Sequence, residues 1–331
     1  MLHRLLLNDL YFHAGCVFLV ILLLVHDSFK DSKQKPVQPC VPQRPFDVAE
    51  TTPSPLENDD VLFKINNFSF VINPEICRQY SHNFLAVNMV SSKPDHEAYR
   101  NVIRAMWNHS SYVKGVFLLG LSDDTGLKKR IRMESKTYRD ILMGNFRDHY
   151  RNMTYKHIMG LKWVSKHCSN ARYIIKTDDD VVVDFKLLAN FFTRILSPWG
   201  TNRLVLCPRI VKGLSVQRKR CSSEVTYPGN EKWTHNIVTT DEYRNDIFPD
   251  FCKGYFLIYS QDALQPLLKA SRAVPYVYLD DVYVTGLLPP IAGIPVTSLR
   301  TFPPPWDRNP FVVGYELEVC YMEKLWNVTL L

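Results

Sequence analysis

The chain has 331 residues, 46% of them hydrophobic and 12% aromatic, with a net charge of +7. That composition excludes a disordered polymer and leaves room for one large domain or two small ones. The basic excess is spread out, and without zinc-finger spacing or a long basic helix no nucleic-acid partner is expected. The densest cluster, Arg218-Lys219-Arg220 with Lys212 nearby, reads as a solvated loop or as a patch facing phosphate or membrane.

In chain order, residues 1–9 read as a cytoplasmic tail and residues 10–25 as an uncharged apolar run. A helix of that length spans about 24 Å, short for a plasma membrane but adequate for a thinner bilayer of the early secretory pathway. No small-x-small cleavage site follows, so an uncleaved signal-anchor is expected rather than a cleaved signal peptide. Residues 26–60 carry Pro36, Pro39, Pro42, Pro45, Pro53 and Pro55 and read as an extended stem. The folded body is expected over residues 61–331. Sequons at Asn67, Asn108, Asn152 and Asn327 place that body in a lumen. So do its cysteines, Cys77, Cys168, Cys207, Cys221, Cys252 and Cys320, which form no CxxC and can pair in fifteen ways. Cys40 is left over, free or linking two chains into a homodimer.

Within the body, residues 84–90, 115–119, 173–176, 203–207 and 255–259 read as strands. Residues 155–166, 185–196 and 262–270 read as helices, the second from its Leu187, Leu188, Phe191, Phe192, Ile195 and Leu196 pattern before Pro198. This alternation predicts an α/β domain with helices over a largely parallel sheet. Ligands gather at the carboxyl ends of the strands in such folds.

Asp178-Asp179-Asp180 falls at such an end. Three adjacent carboxylates repel one another and are costly to bury without a counter-charge. In an extended or turning segment Asp178 and Asp180 point to one side, where they could bracket Mn²⁺ or Mg²⁺. Asp179 then turns away to bond backbone or solvent. The competing reading is a solvated turn or an N-cap cluster for the helix at Phe185. A second acidic pair, Asp280-Asp281, offers a general base toward a hydroxyl, or else caps a helix over residues 282–288. Between the two pairs, residues 243–255 place aromatics beside Gly254 and Pro249, fit for a sugar platform or for core packing. Arg100 and Arg104 share one face of an expected helix; a plain surface helix is the favoured reading, and a hold on phosphate or on a carboxylate network is the other.

Taken in order, these residues resemble the β1,3-galactosyltransferase family. The resemblance runs through Cys77, Arg100-x3-Arg104-x2-Trp107 and Phe117-Leu118-Leu119-Gly120. It continues in Phe146-x-Asp148-x-Tyr150-x-Asn152-x-Thr154-x-Lys156, Lys176-Thr177-Asp178-Asp179-Asp180-Val181 and Asp280-Asp281-Val282, and covers roughly residues 77–290. It implies a GT-A fold, a Rossmann-like nucleotide-binding half joined to an acceptor half. It also implies a type II Golgi membrane protein that moves a hexose, galactose first or else an N-acetylhexosamine, from a UDP-sugar, with inversion, to the 3-hydroxyl of a glycan on a glycoprotein or glycolipid, forming a β1,3 linkage. By the same resemblance Asp178 and Asp180 bracket Mn²⁺, and Asp281 is the base. Arg100, Arg104, Trp107, Lys176 and Asp179 fall on the donor side. Asn145, Lys253 and Asp280 depart from the family pattern near donor or acceptor positions. An inactive Golgi protein that binds glycans or a partner transferase is the alternative.

Overall fold

A computed structural model describes residues 61–329, apart from residues 63–64, 78–84, 109, 199, 219–236 and 303–310. By their contacts Met1–Thr51 and Thr52–Leu331 are separate units, and all described residues belong to the second. The expected tail, signal-anchor and stem, with Cys16, Cys40 and Cys221, lie outside the described residues. Among the described residues no helix is long and apolar enough to cross a membrane.

Apolar segments rich in Val, Ile and Leu build the sheet. The chain runs through β1 (Phe70–Ile72), β2 (Ala86–Ser91), α1 (Glu97–Asn108), β3 (Val113–Leu121), α2 (Thr125–Tyr138) and β4 (Ile141–Arg147). Then follow α3 (Met153–His167), β5 (Tyr173–Asp178), β6 (Val182–Val183) and α4 (Phe185–Phe191), the last continued by a π-helical stretch, Phe192–Leu196. Beyond them lie β7 (Val205–Cys207), β8 (Ile210–Val211), β9 (Phe251–Cys252), β10 (Phe256–Ser260), α5 (Leu264–Ala273) and α6 (Asp280–Val282). The order closes with α7 (Leu288–Ala292), β11 (Val296–Ser298), β12 (Val312–Gly314) and α8 (Val319–Thr329).

Eight strands form one sheet in the order β1-β4-β3-β2-β5-β10-β7-β11. β4, β3, β2 and β5 are parallel, as expected. The other half is not: β10 runs antiparallel to both β5 and β7, and β1 antiparallel to β4. The sheet is therefore mixed. Antiparallel β10 brings Phe256 opposite Thr177, so the segment ahead of it enters beside the C-terminal end of β5.

Successive strand residues alternate between faces, and both faces are buried. Val87, Met89, Val116, Leu118 and Ile174 pack in one core with residues of α3 and α5. Val90, Phe117, Leu119, Tyr173 and Ile175 pack in the other with residues of α1 and α4. Disulfides join Cys77 to Cys168 and Cys207 to Cys252, while Cys320 is free and exposed. The Cys207–Cys252 bridge ties β7 to the strand two residues before Gly254. Replacing both cysteines with serine should destabilise the protein by about 2–4 kcal/mol, read as a lower denaturant midpoint.

Candidate active site

Ser91 lies opposite Asp178 across the parallel β2–β5 pair, so the triple aspartate leaves the sheet where two strands end side by side. It does not cap the following helix. Asp184 does that, accepting the Leu187 N–H at 2.8 Å. Lys176, 1% exposed in β5, donates from Nζ to Asp178 Oδ1 at 2.7 Å and to the Gly254 carbonyl at 2.7 Å. The same Nζ lies 3.5 Å from Asp280 Oδ2. One buried ammonium thus joins two acidic pairs that are a hundred residues apart in sequence. The Asp178 side chain keeps 32% of its surface open. Burial pushes it up to about 6; the Lys176 charge opposes this, and the charges of Asp180 and Asp280 add to it.

Asp280 and Asp281 open α6. The N-cap position is Leu279, and neither acid caps the helix with its side chain. Asp280 Oδ2 is instead 2.9 Å from His157 Nδ1, and His157 Nε2 is 3.1 Å from the Tyr259 hydroxyl. Burial lowers the His157 pKa against the pull of Asp280. The network is satisfied by a neutral ring that donates from Nδ1 to Asp280 and accepts at Nε2 from Tyr259. Burial would raise Asp280, but the Lys176 charge and the His157 bond outweigh it and hold Asp280 ionised well below the usual carboxylate range. Asp281 moves the other way, up to about 7, through burial first and then the charge of its neighbour Asp280. Two adjacent carboxylates thereby separate into a fixed anion and a group titrating near neutrality, the pattern of a general base. Asp281 accepts the Val282 N–H at 2.8 Å. A β-carbon on Gly254 would come within 3.1 Å of the Asp281 β-carbon, so the glycine lets the two segments close on each other. The helix then loosens into a π-helical turn, Tyr283–Leu287.

His157 and Tyr259 carry no motif of their own in the sequence. One is among ten dispersed histidines, the other a core residue of a strand. Tyr150 also belongs to the cleft. Burial raises its pKa first, and the charges of Asp280, Asp281 and Asp178 add to it.

The arginines expected on the donor side are engaged elsewhere. Arg100 is fully buried and donates every N–H: Nε and Nη2 to Glu134 at 2.8 and 2.7 Å, Nη1 to Ser92 Oγ and the Lys93 carbonyl, and Nη2 to the Pro94 carbonyl. Arg104 grips Asp140 through Nε and Nη2 at 2.7 and 2.8 Å and reaches Glu134 at 2.7 Å, with its guanidinium 3.9 Å from the Tyr138 ring centre. The expected surface helix is overturned: both arginines are buried in a carboxylate network with Glu134 and Asp140, and neither has a free fork for phosphate. Trp107 packs on Phe117, with ring centres 4.7 Å apart, over Gly115, where a β-carbon would lie 2.0 Å from the indole. It is a core residue.

Asp179 turns inward and accepts from Ser92 Oγ at 2.7 Å and the Lys93 N–H at 3.3 Å, with His96 Nδ1 at 2.9 Å. Arg100 holds the same Ser92–Pro94 segment, so the α1 network positions the acidic turn at one remove. Lys156 performs a parallel task. Its Nζ donates to the Ser92 carbonyl at 2.7 Å and pairs with Asp148 at 3.0 Å, while Asp148 accepts the Gly120 N–H at 2.7 Å. The ends of β2, β3 and β4 are locked together.

Of the three departures, Asn145 lies in β4, against the edge strand β1. Its amide donates to the Asn67 carbonyl at 2.6 Å and accepts the Ser69 N–H at 3.1 Å; an aspartate could not make the first bond. Lys253 is exposed beside Gly254. Asp280, though shorter than glutamate, reaches both His157 and Lys176. In residues 243–255, Tyr243, Phe248 and Phe251 pack in the core.

Among the described residues no three carboxylate, imidazole or thiol groups surround a common point. The residues present nevertheless fit a divalent cation. Asp178 and Asp180 supply hard oxygen donors close enough for the Asp180 charge to raise the Asp178 pKa, and two protein ligands leave room for water and a diphosphate.

The mixed sheet with an acidic cleft at its carboxyl edge fits the GT-A plan of glycosyltransferases. The galactosyltransferase family profile matches residues 98–300. β-1,3-Galactosyltransferase 1 of Mus musculus is 30% identical over 226 residues, which cover 66% of this chain and 64% of that protein. β-1,3-Galactosyltransferase 2 of Homo sapiens is 31% identical over 264 residues, or 75% of this chain and 55% of that protein. The chain belongs to the galactosyltransferase family, and it spans less than two thirds of the length of these relatives.

Proposed function

We propose that the protein transfers a hexose, galactose by the names of its relatives, from a UDP-sugar to the 3-hydroxyl of a glycan acceptor. What carries this reading is the meeting of Asp178, Asp280 and Asp281 around Lys176. Asp178 and Asp180 would hold Mn²⁺, which when bound neutralises charge on the departing diphosphate. Asp281 takes the proton of the acceptor hydroxyl. That oxygen bonds to the anomeric carbon from the face opposite UDP as the bond to the UDP oxygen breaks, so an α-linked donor becomes a β1,3 product. Lys176 keeps the metal-side and base-side carboxylates in register, and the Lys176 ion pair and His157 hydrogen bond of Asp280 keep its charge beside Asp281. A Golgi lumenal setting, with the acceptor on a glycoprotein or glycolipid, agrees with two disulfides, which form in oxidising compartments.

The test uses the full chain in detergent with UDP-galactose, UDP-N-acetylglucosamine and UDP-N-acetylgalactosamine against a small panel of glycosides. The expected result is one preferred donor, a β1,3 linkage by NMR, and turnover abolished by EDTA and restored by Mn²⁺. Full turnover in EDTA, or an α-linked product, would sink the reading.

A further inference from the structure

The sequence between the two acidic pairs offered a row of aromatics as a sugar platform. The structure buries Tyr243, Phe248 and Phe251 and leaves Tyr255 only partly buried. Tyr255 directly follows Gly254, whose carbonyl binds Lys176 and whose α-carbon faces Asp281. Its ring is stacked on Tyr315, with centres 4.6 Å apart and planes 15° from parallel.

Tyr315 comes from a C-terminal strap. Strand β12 pairs antiparallel with β6, just after the triple aspartate, with Val312 opposite Val183 and Gly314 opposite Val182. Beyond the tyrosine, the Leu317 N–H donates to the Asp180 carbonyl at 3.2 Å. Both ends of the 314–317 turn are therefore fastened to the segment that carries the metal-side acids. The turn is tight, and Glu316 adopts a φ of 56°, in the left-handed region that non-glycine residues seldom occupy. Tyr315 is nevertheless 47% exposed. A half-exposed large ring stacked on Tyr255, on a turn fastened to the Asp178–Asp180 segment, is a surface suited to a flat apolar partner. The strap also lies beyond the region matched by the family profile, which ends at residue 300.

We propose that Tyr255 and Tyr315 form an aromatic platform at the rim of the cleft that takes the apolar C–H face of a pyranose of the acceptor. The assignment to acceptor rests on the transferase reading above. In that reading the diphosphate lies on the Asp178 and Asp180 side at the cleft floor. The platform adjoins Gly254, which packs against the base, and it is open outward, where the part of the glycan beyond the reacting sugar must emerge. Tyr315 is then a specificity-determining residue that favours acceptors presenting an equatorial, apolar sugar face.

The test compares wild type, Tyr315→Ala, Tyr315→Leu and Tyr315→Phe as full chains in detergent. Methyl β-galactoside and methyl β-N-acetylglucosaminide serve as probes. Two readouts are taken: KM for acceptor and for donor separately, and saturation-transfer NMR of the methyl glycosides without donor. The expected result is an acceptor KM raised about three- to tenfold in Ala and Leu, with donor KM unmoved, and Phe close to wild type. Saturation transfer should weaken in Ala and Leu in step. The leucine variant keeps apolar bulk in the strap, so a folding defect in Ala does not decide the outcome. An unchanged acceptor KM in Leu, or a rise confined to donor KM, overturns the platform. If wild type transfers no sugar at all, the transferase reading fails. The platform then stands or falls on whether saturation transfer depends on the residue 315 ring.

Discussion

Replacing Asp281 with asparagine should lower turnover about 10²–10⁴-fold, the usual contribution of a positioned general base. The side chain keeps its size, so packing against Gly254 should survive. The pH profile of the wild type adds a second readout. The Asp281 carboxyl is pushed up to about 7 by burial and by the fixed charge of Asp280. Below that pH it holds its proton and cannot accept another, so kcat/KM should fall roughly tenfold per pH unit as the solution becomes more acidic. The sign follows from the raised value: a base with an ordinary carboxylate pKa would place the same limb about three units lower. The residual activity of Asp281→Asn should lose this limb. Equal turnover in the two proteins, or the same acid limb in both, would remove Asp281 from the role of base.

The second large effect concerns Arg100. The donor-side reading of this residue predicts that Arg100→Ala weakens UDP binding with little change in stability. The structure predicts the reverse. Its guanidinium is the main partner of Glu134, whose side chain is 2% exposed, and removing it leaves a buried carboxylate with only Arg104 as counter-charge. Breaking a buried pair in this way costs about 3–5 kcal/mol. For a domain of this size that is a fall in melting temperature of about 5–10 °C. Arg100→Lys should rescue little, since an ammonium cannot reproduce the fork on Glu134 together with the bonds to Ser92, Lys93 and Pro94. A protein that melts as wild type yet has lost UDP affinity would restore the donor-side assignment.

What the sequence made legible was whatever local pattern specifies. The apolar runs ending at Ser91 and Asp178 announce strands, and three adjacent carboxylates after one of them announce a charge problem. The amphipathic stretch from Phe185 shows its helix in the spacing of its leucines and phenylalanines. Helix α2 was not visible in the same way, because only Ile131 and Glu134 of its fourteen residues are buried and no apolar face repeats along it. Strand β4 was hidden by Gly144 and Asn145 within it. The parallel half of the sheet follows from strand–helix alternation, but the reversal at β10 depends on how residues 251–255 return to the sheet, which no periodicity encodes.

The site divides along the same line. Single residues with charge and no local partner could be picked out, and their partners could not. His157 meets Asp280 across 123 residues, Arg100 meets Glu134 across 34, and Tyr255 meets Tyr315 across a change of sheet. Arginines at i and i+4 look the same in sequence whether they face a phosphate or a buried glutamate. Only the fold decides between them.

The account's central claim is that Asp178 and Asp281 share one cleft with divided labour, the first holding the donor through a metal and the second taking a proton. Calorimetric titration of UDP into the full chain, with and without Mn²⁺, tests that division in wild type, Asp178→Asn and Asp281→Asn. The account predicts that Asp178→Asn loses the Mn²⁺-dependent part of UDP binding while Asp281→Asn keeps it. Undiminished Mn²⁺-dependent binding in Asp178→Asn, or equal losses in both variants, would contradict it.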